Sequence, residues 1–173
     1  MLIWASAWIS IPIGPVPISL QTVAIFLAAL LLPMGPALIS VLLYIALGAA
    51  GLPVFAGGRS GIEVLSGPTA GFIFGFLIAV IVVSYLTKHI RYNVRHKKNI
   101  DLYWQATRAC IIGTIVLQVC GILWGKVYTG EEWDVVFNSW LHPFYFNMII
   151  KIFISVLIGV QVWKETSRHN QIY

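Results

Sequence analysis

Apolar runs cut by proline and glycine make up most of this chain, and the lengths of those runs decide what it can fold into. Thr69 to Leu86, Trp104 to Trp124 and Phe144 to Trp163 are each nearly a membrane thickness long and carry at most one charge. A helix rises 1.5 Å per residue and a bilayer core is about 30 Å thick, so about 20 apolar residues make a span. Three shorter runs come first: Met1 to Ile11, Ile18 to Leu32 and Ala37 to Gly51. Pro12, Gly14, Pro15 and Pro17 end the first of these, and Pro33, Gly35 and Pro36 the second. Only 10% of the 173 residues are charged, against about 25% in a soluble domain. That is too little to cover a globular surface, which excludes an ordinary soluble enzyme, a nucleic-acid-binding domain and a disordered chain. The expectation is an all-α integral membrane protein. It is a six-helix transmembrane bundle, short at the N-terminus of its first helix, with residues 1–173 forming one domain in the lipid bilayer.

Charge sets the orientation. Lys88, Arg91, Arg95, Lys97 and Lys98 crowd one linker, and Arg108, Lys164 and Arg168 fall at the same level. Basic residues flanking spans stay on the cytoplasmic side. Glu63, Glu131, Glu132 and Asp134 lie in the opposite loops. Alternation then puts both termini in the cytoplasm. The Pro12–Pro17 turn, the Leu52–Pro68 loop and the acidic Gly125–Pro143 loop face outside, across the cell (plasma) membrane. Ala24/Ala28, Ala46/Ala50, Gly71/Gly75 and Gly121/Gly125 have the small-xxx-small spacing and read as packing faces within the bundle. Cys110 and Cys120, ten residues apart on one helix, are about 15 Å apart along its axis, too far for a disulfide. The scattered histidines and cysteines make no metal set.

Polar groups inside spans point to chemistry, because an ionisable residue at helix centre costs about 2.5–3.5 kcal/mol on insertion scales. Lys151 sits about two turns into the last span among Ile149, Ile150, Ile152 and Phe153. Asn147 lies one turn earlier on the same face. Together they suggest a site for an anion such as a carboxylate, with snorkelling of the lysine to the interface as the alternative. Gln118, mid-span, is either interhelical glue or a ligand contact. Gln21 opens the second span and is either a helix cap or a site residue. Trp124 reads as an interfacial anchor, placed where it can also roof a cavity. The loop from Leu52 to Gly61 carries Val54 and Phe55 beside flexible glycines. An apolar loop of this kind is either a lid over a hydrophobic ligand or a structural plug. Gly58-Arg59-Ser60-Gly61 has the Gly-x-Ser-Gly pattern of intramembrane serine proteases, but the pattern comes with no base to activate the serine.

Three segments together carry a family resemblance. Ile9 to Thr22 (ISIPIGPVPISLQT), Gly51 to Gly58 (GLPVFAGG) and Gly67 to Phe72 (GPTAGF) resemble, in order and spacing, motifs of BioY proteins. These are the biotin-specific S components of energy-coupling factor (ECF) transporters. The resemblance implies a six-helix bundle that binds biotin from outside and is not an enzyme. Transport would need an ECF transmembrane coupling subunit and two cytoplasmic ATPases. Lys151 aligns with a lysine of the family's biotin site, and biotin offers it a carboxylate. The substrate-binding set is therefore Lys151, Asn147, Gln118, Trp124, Phe55, Val54, Gln21 and, from the third motif, Thr69, with no catalytic residue, metal, cofactor or nucleic acid. Two departures stand out. The family usually carries Gly-Asp shortly before that lysine, where this chain has Asn147 and Met148. Its first helix also usually begins earlier, with a stripe of small residues that docks the coupling subunit, where this chain has Ala5 and Ala7.

Overall fold

The computed structural model describes residues 2–11, 17–94 and 98–169 and is helical almost throughout. The chain order is α1 (Leu2–Trp8), a two-residue hairpin of β1 (Ser10–Ile11) and β2 (Ile18–Ser19), α2 (Gln21–Leu31) and α3 (Met34–Ala49), followed by a 3-10 turn (Ala56–Gly58) and α4 (Ile62–Ser66). Then come α5 (Ala70–Tyr92), α6 (Asn99–Thr129), α7 (Trp133–Trp140), a 3-10 turn (His142–Phe144) and α8 (Tyr145–His169). Three helical stretches are long and apolar enough to cross a membrane: Ala70–Arg91, Asn99–Thr129 and Trp133–Ser167. Most of the Pro12–Pro17 turn, together with Arg95 and Lys97, lies outside the described residues.

The long helices present apolar stripes outward. Phe74, Ile78, Ile81 and Tyr85 on α5 are exposed, as are Ile149, Phe153 and Leu157 on α8. Their three- and four-residue spacing makes one ridge per helix, and a surface this apolar is at rest only against lipid. Inside, small residues let the backbones close up. A Cβ at Gly71 would fall 2.2 Å from Trp124 Cβ, and one at Gly121 would fall 2.2 Å from the Phe72 ring. Gly75 and Gly125 likewise face Leu117 and Trp140. These pairs are packing faces, as their spacing suggests. Ala46 and Ala50 are not, since both are exposed. On α3 the close approach belongs instead to Gly48, which lies against the Phe55 ring. Cys110 and Cys120 are free.

α2 has 11 residues, about 16 Å of rise and half a membrane thickness. Its C-terminal end is closed by side chains from two other helices. Arg91 donates from Nε to Leu30 O (3.0 Å) and from a terminal nitrogen to Ala29 O (2.7 Å). Trp163 donates its indole N–H to Leu30 O (2.8 Å). These bonds satisfy carbonyls that the helix end leaves open, and Arg91 is a cation where the helix dipole is negative. They also fix the basic end of α5 and the C-terminal part of α8 beside the end of α2. The two strands just before α2 pair antiparallel, Ser10 opposite Ser19 and Ile11 opposite Ile18.

Two sequence expectations are corrected. The Leu52–Pro68 and Gly125–Pro143 segments are not plain loops. The first contains the 3-10 turn and α4, and the second contains the last turn of α6 and α7. Val136 and Trp140, four residues apart on α7, are fully buried; that single apolar stripe winds the acidic segment into a helix.

Candidate small-molecule cavity

One cavity opens at the end of the bundle opposite the basic linker. The space left free inside it is about 70 Å³, below the roughly 300–1,000 Å³ of most small-molecule sites. The N-termini of two helices border it, with Gln21 and Thr22 of α2 and Thr69 just before α5 in its wall. Phe72, Ile73 and Phe76 of α5 and Leu117 of α6 make the apolar wall, and Phe144 and Met148 line the α8 side. Phe55, Ala56 and Arg59 come from the loop after α3.

Nine of the nineteen lining residues carry a polar side chain, Lys151 and Arg59 among them. Lys151 is buried (7% exposed) and lines the cavity, and its ammonium has no ion-pair or hydrogen-bond partner among the described residues. The Nε2 of Gln118 and the hydroxyl of Thr69 are buried without a hydrogen-bond partner among the described residues. An unmade buried hydrogen bond costs about 1–3 kcal/mol, so both groups are free to bond a ligand that reaches them. Gln21 is not a helix cap: its amide N–H donates to Tyr44 Oη, and its Oε1 accepts from Ser19 Oγ (3.0 Å). Among the described residues no carboxylate lines the cavity, whereas the cations Lys151 and Arg59 do. Two helix N-termini add positive potential. The site is built to receive oxygen acceptors and negative charge on an apolar body.

Phe55 (1% exposed) is the pin of the covering loop. Its ring packs edge-on against Tyr44, with centroids 5.5 Å apart at 86°, and rests on Gly48. Gly57 and Gly58 take positive φ (71° and 70°), which glycine adopts without strain. The loop can therefore turn straight back, and Phe55 N–H donates to Arg59 O (3.0 Å). Trp4 on α1 donates its indole N–H to Pro53 O (3.2 Å), tying the loop to the first helix.

Five of the eight residues singled out from sequence meet here: Lys151, Gln118, Phe55, Gln21 and Thr69. Asn147, Trp124 and Val54 do not line the cavity. On α8 the wall lies on the Met148 side of Lys151, and Asn147, one residue further round, is turned off it. Trp124 donates its indole N–H to Gly67 O (2.9 Å) and fastens α6 to the turn before α5. Val54 is buried under the loop, facing a groove between α1, α2 and α3. Sequence reasoning missed Tyr44 and Arg59. Tyr44 sits in an apolar run without a polar neighbour, and Arg59 was part of a motif read for its serine.

A helical membrane protein with an apolar-walled cavity, cationic at two points and covered by a pinned loop, is a membrane-embedded binder of small molecules. Comparison with known proteins narrows the class. The model of the BioY family matches residues 1–168, and the chain belongs to that family. It is 35% identical over 165 residues to biotin transporter BioY2 of Lactococcus lactis subsp. cremoris (strain MG1363), covering 95% of this chain and 86% of that one. It is 33% identical over 163 residues to biotin transporter BioY of Thermotoga maritima, covering 94% and 90%. The fold matches the crystal structure of the S-component for biotin from an ECF-type ABC transporter. The TM-score is 0.81 at 26% identity, and the match covers 94% of this chain and 85% of that one.

Proposed function

We propose that this chain is the substrate-binding subunit of a biotin uptake transporter, a single domain over residues 1–173 crossing the plasma membrane several times. Six helices, α1, α2, α3, α5, α6 and α8, form the bundle. Both termini are cytoplasmic and the cavity faces outward. The basic linker supports this orientation through the positive-inside rule. Biotin enters the cavity, and import is driven by a transmembrane coupling subunit with two cytoplasmic ATPases. The chain's own work is binding rather than catalysis.

One observation carries the reading. In a BioY-family chain, the Lys151 ammonium, Gln118 Nε2 and the Thr69 hydroxyl have no hydrogen-bond partner among the described residues, and all three residues border one cavity. Biotin has the matching parts, with a ureido carbonyl and a carboxylate as acceptors and an apolar ring and chain for the Phe72, Phe76 and Leu117 wall. A ligand that binds only the folded state stabilises it by about 2.7 kcal/mol at 100 times its Kd. Protein purified without biotin should therefore melt higher when biotin is added. No shift with biotin, and a shift with a different vitamin, would favour a second reading. Met148 in the cavity wall supports that second reading: a neutral thioether stands where the family usually has an acid, so the ligand would be another small vitamin.

A further inference from the structure

The cavity has two cations at different depths, and a biotin-like ligand has one carboxylate. Lys151 is six residues along α8 from Tyr145, about 9 Å inside, beside a wall of Phe144 and Met148. Arg59 is exposed at the rim and is carried by the covering loop. Its Nε is committed to Ala56 O (3.1 Å), which holds the guanidinium against the 3-10 turn. Its terminal nitrogens have no hydrogen-bond or carboxylate partner among the described residues. A carboxylate is costly to strip of water, so it rests better at the rim than in the well. The planar guanidinium fork matches its two oxygens. The deep donors, Lys151 and Gln118, suit a neutral carbonyl on the ring end, whose apolar body fits the aromatic wall.

We propose that Arg59 binds the carboxylate of the ligand from the covering loop, so that the ligand's charge is read by the lid and its ring end by Lys151. Occupancy then draws the loop closed, because the same residue belongs to both. The inference rests on the biotin reading above and assigns a role to a residue that reading does not use. It also moves the carboxylate away from Lys151.

The test compares biotin with biotin amide, in which a neutral carboxamide replaces the carboxylate, by calorimetry on the purified full chain. Arg59→Gln should weaken biotin binding by about five- to thirtyfold, more than an open surface pair gives because the fork is bidentate. The same change should leave amide binding within about twofold, and Arg59→Lys should recover part of the loss. Lys151→Ala should weaken both ligands alike. Equal loss of biotin and amide in Arg59→Gln would make Arg59 a structural support of the loop and overturn the proposal. So would no loss, or a charge-selective loss in Lys151→Ala instead. Wild-type protein that binds neither compound would overturn the biotin reading and this proposal with it, an outcome distinct from failure at Arg59 alone.

Discussion

Substituting Gly48 by alanine should loosen the lid from beneath. A Cβ there would stand 2.1 Å from Phe55 Cζ and 2.5 and 2.6 Å from the two Cε atoms. Ordinary contact begins near 3.4 Å, so the ring has to withdraw by about 1.3 Å, far up the repulsive wall of the contact. It has little room to do so. Tyr44 packs edge-on against the same ring, and Gly61 N–H is bonded to Gly48 O (2.7 Å). The displacement therefore passes to the loop as a whole. Overpacking of this kind costs about 1–3 kcal/mol. Phe55 also lines the cavity, so about half of that cost should weigh on the closed, occupied state. That is about 0.5–1.5 kcal/mol, or a two- to tenfold faster release of biotin. Dissociation of labelled biotin from Gly48→Ala measures this directly. Melting of the ligand-free variant separates lid from plug: a lower melting temperature with unchanged release would make the loop a plug. Gly48→Ala with Phe55→Ala should be less harmful than the two single changes added together, because the second removes the ring that the first strikes. Strict additivity, or a Gly48→Ala protein with native release and native melting, would refute the contact.

Three further outcomes follow from the geometry. Gln118→Leu should raise the melting temperature of the empty protein, since it removes a buried donor without a partner, and should weaken biotin binding about fivefold or more by calorimetry. Better binding would take Gln118 out of the site. Gly71→Val should destabilise the bundle by about 2 kcal/mol or more, because its side chain meets Trp124 Cβ and Cys120 O on α6; a native melting temperature would contradict the close crossing. With Cys110 and Cys120 replaced by alanine, a cysteine at Glu131 should react with an impermeant thiol reagent on intact cells and one at Lys98 should not. The reverse pattern would invert the topology.

The three long runs were legible in the sequence because lipid imposes a simple demand: a span must be long, apolar and closed on its own hydrogen bonds. For the same reason Lys151 and Gln118 stood out, as polar groups in a setting that tolerates them only with a purpose. Three short motifs were enough to name the family; in the second of them Gly51, Gly57 and Gly58 take positive φ, which glycine adopts without strain. What the sequence did not decide was direction around a helix axis. Asn147 and Met148 are neighbours on α8, and whether the cavity lies on one side of Lys151 or the other depends on how α8 rolls against α2 and α6. Tyr44 could not be seen either, because its partner Gln21 is 23 residues away and meets it only when α2 and α3 pack. Arg59 is polar in a loop, where polarity carries no signal; it acquires meaning only because Phe55, seated on Gly48, holds that loop over the cavity. Tertiary structure chose among residues that the one-dimensional pattern left equivalent, since a cavity is a property of the space between helices and is encoded in no single one of them.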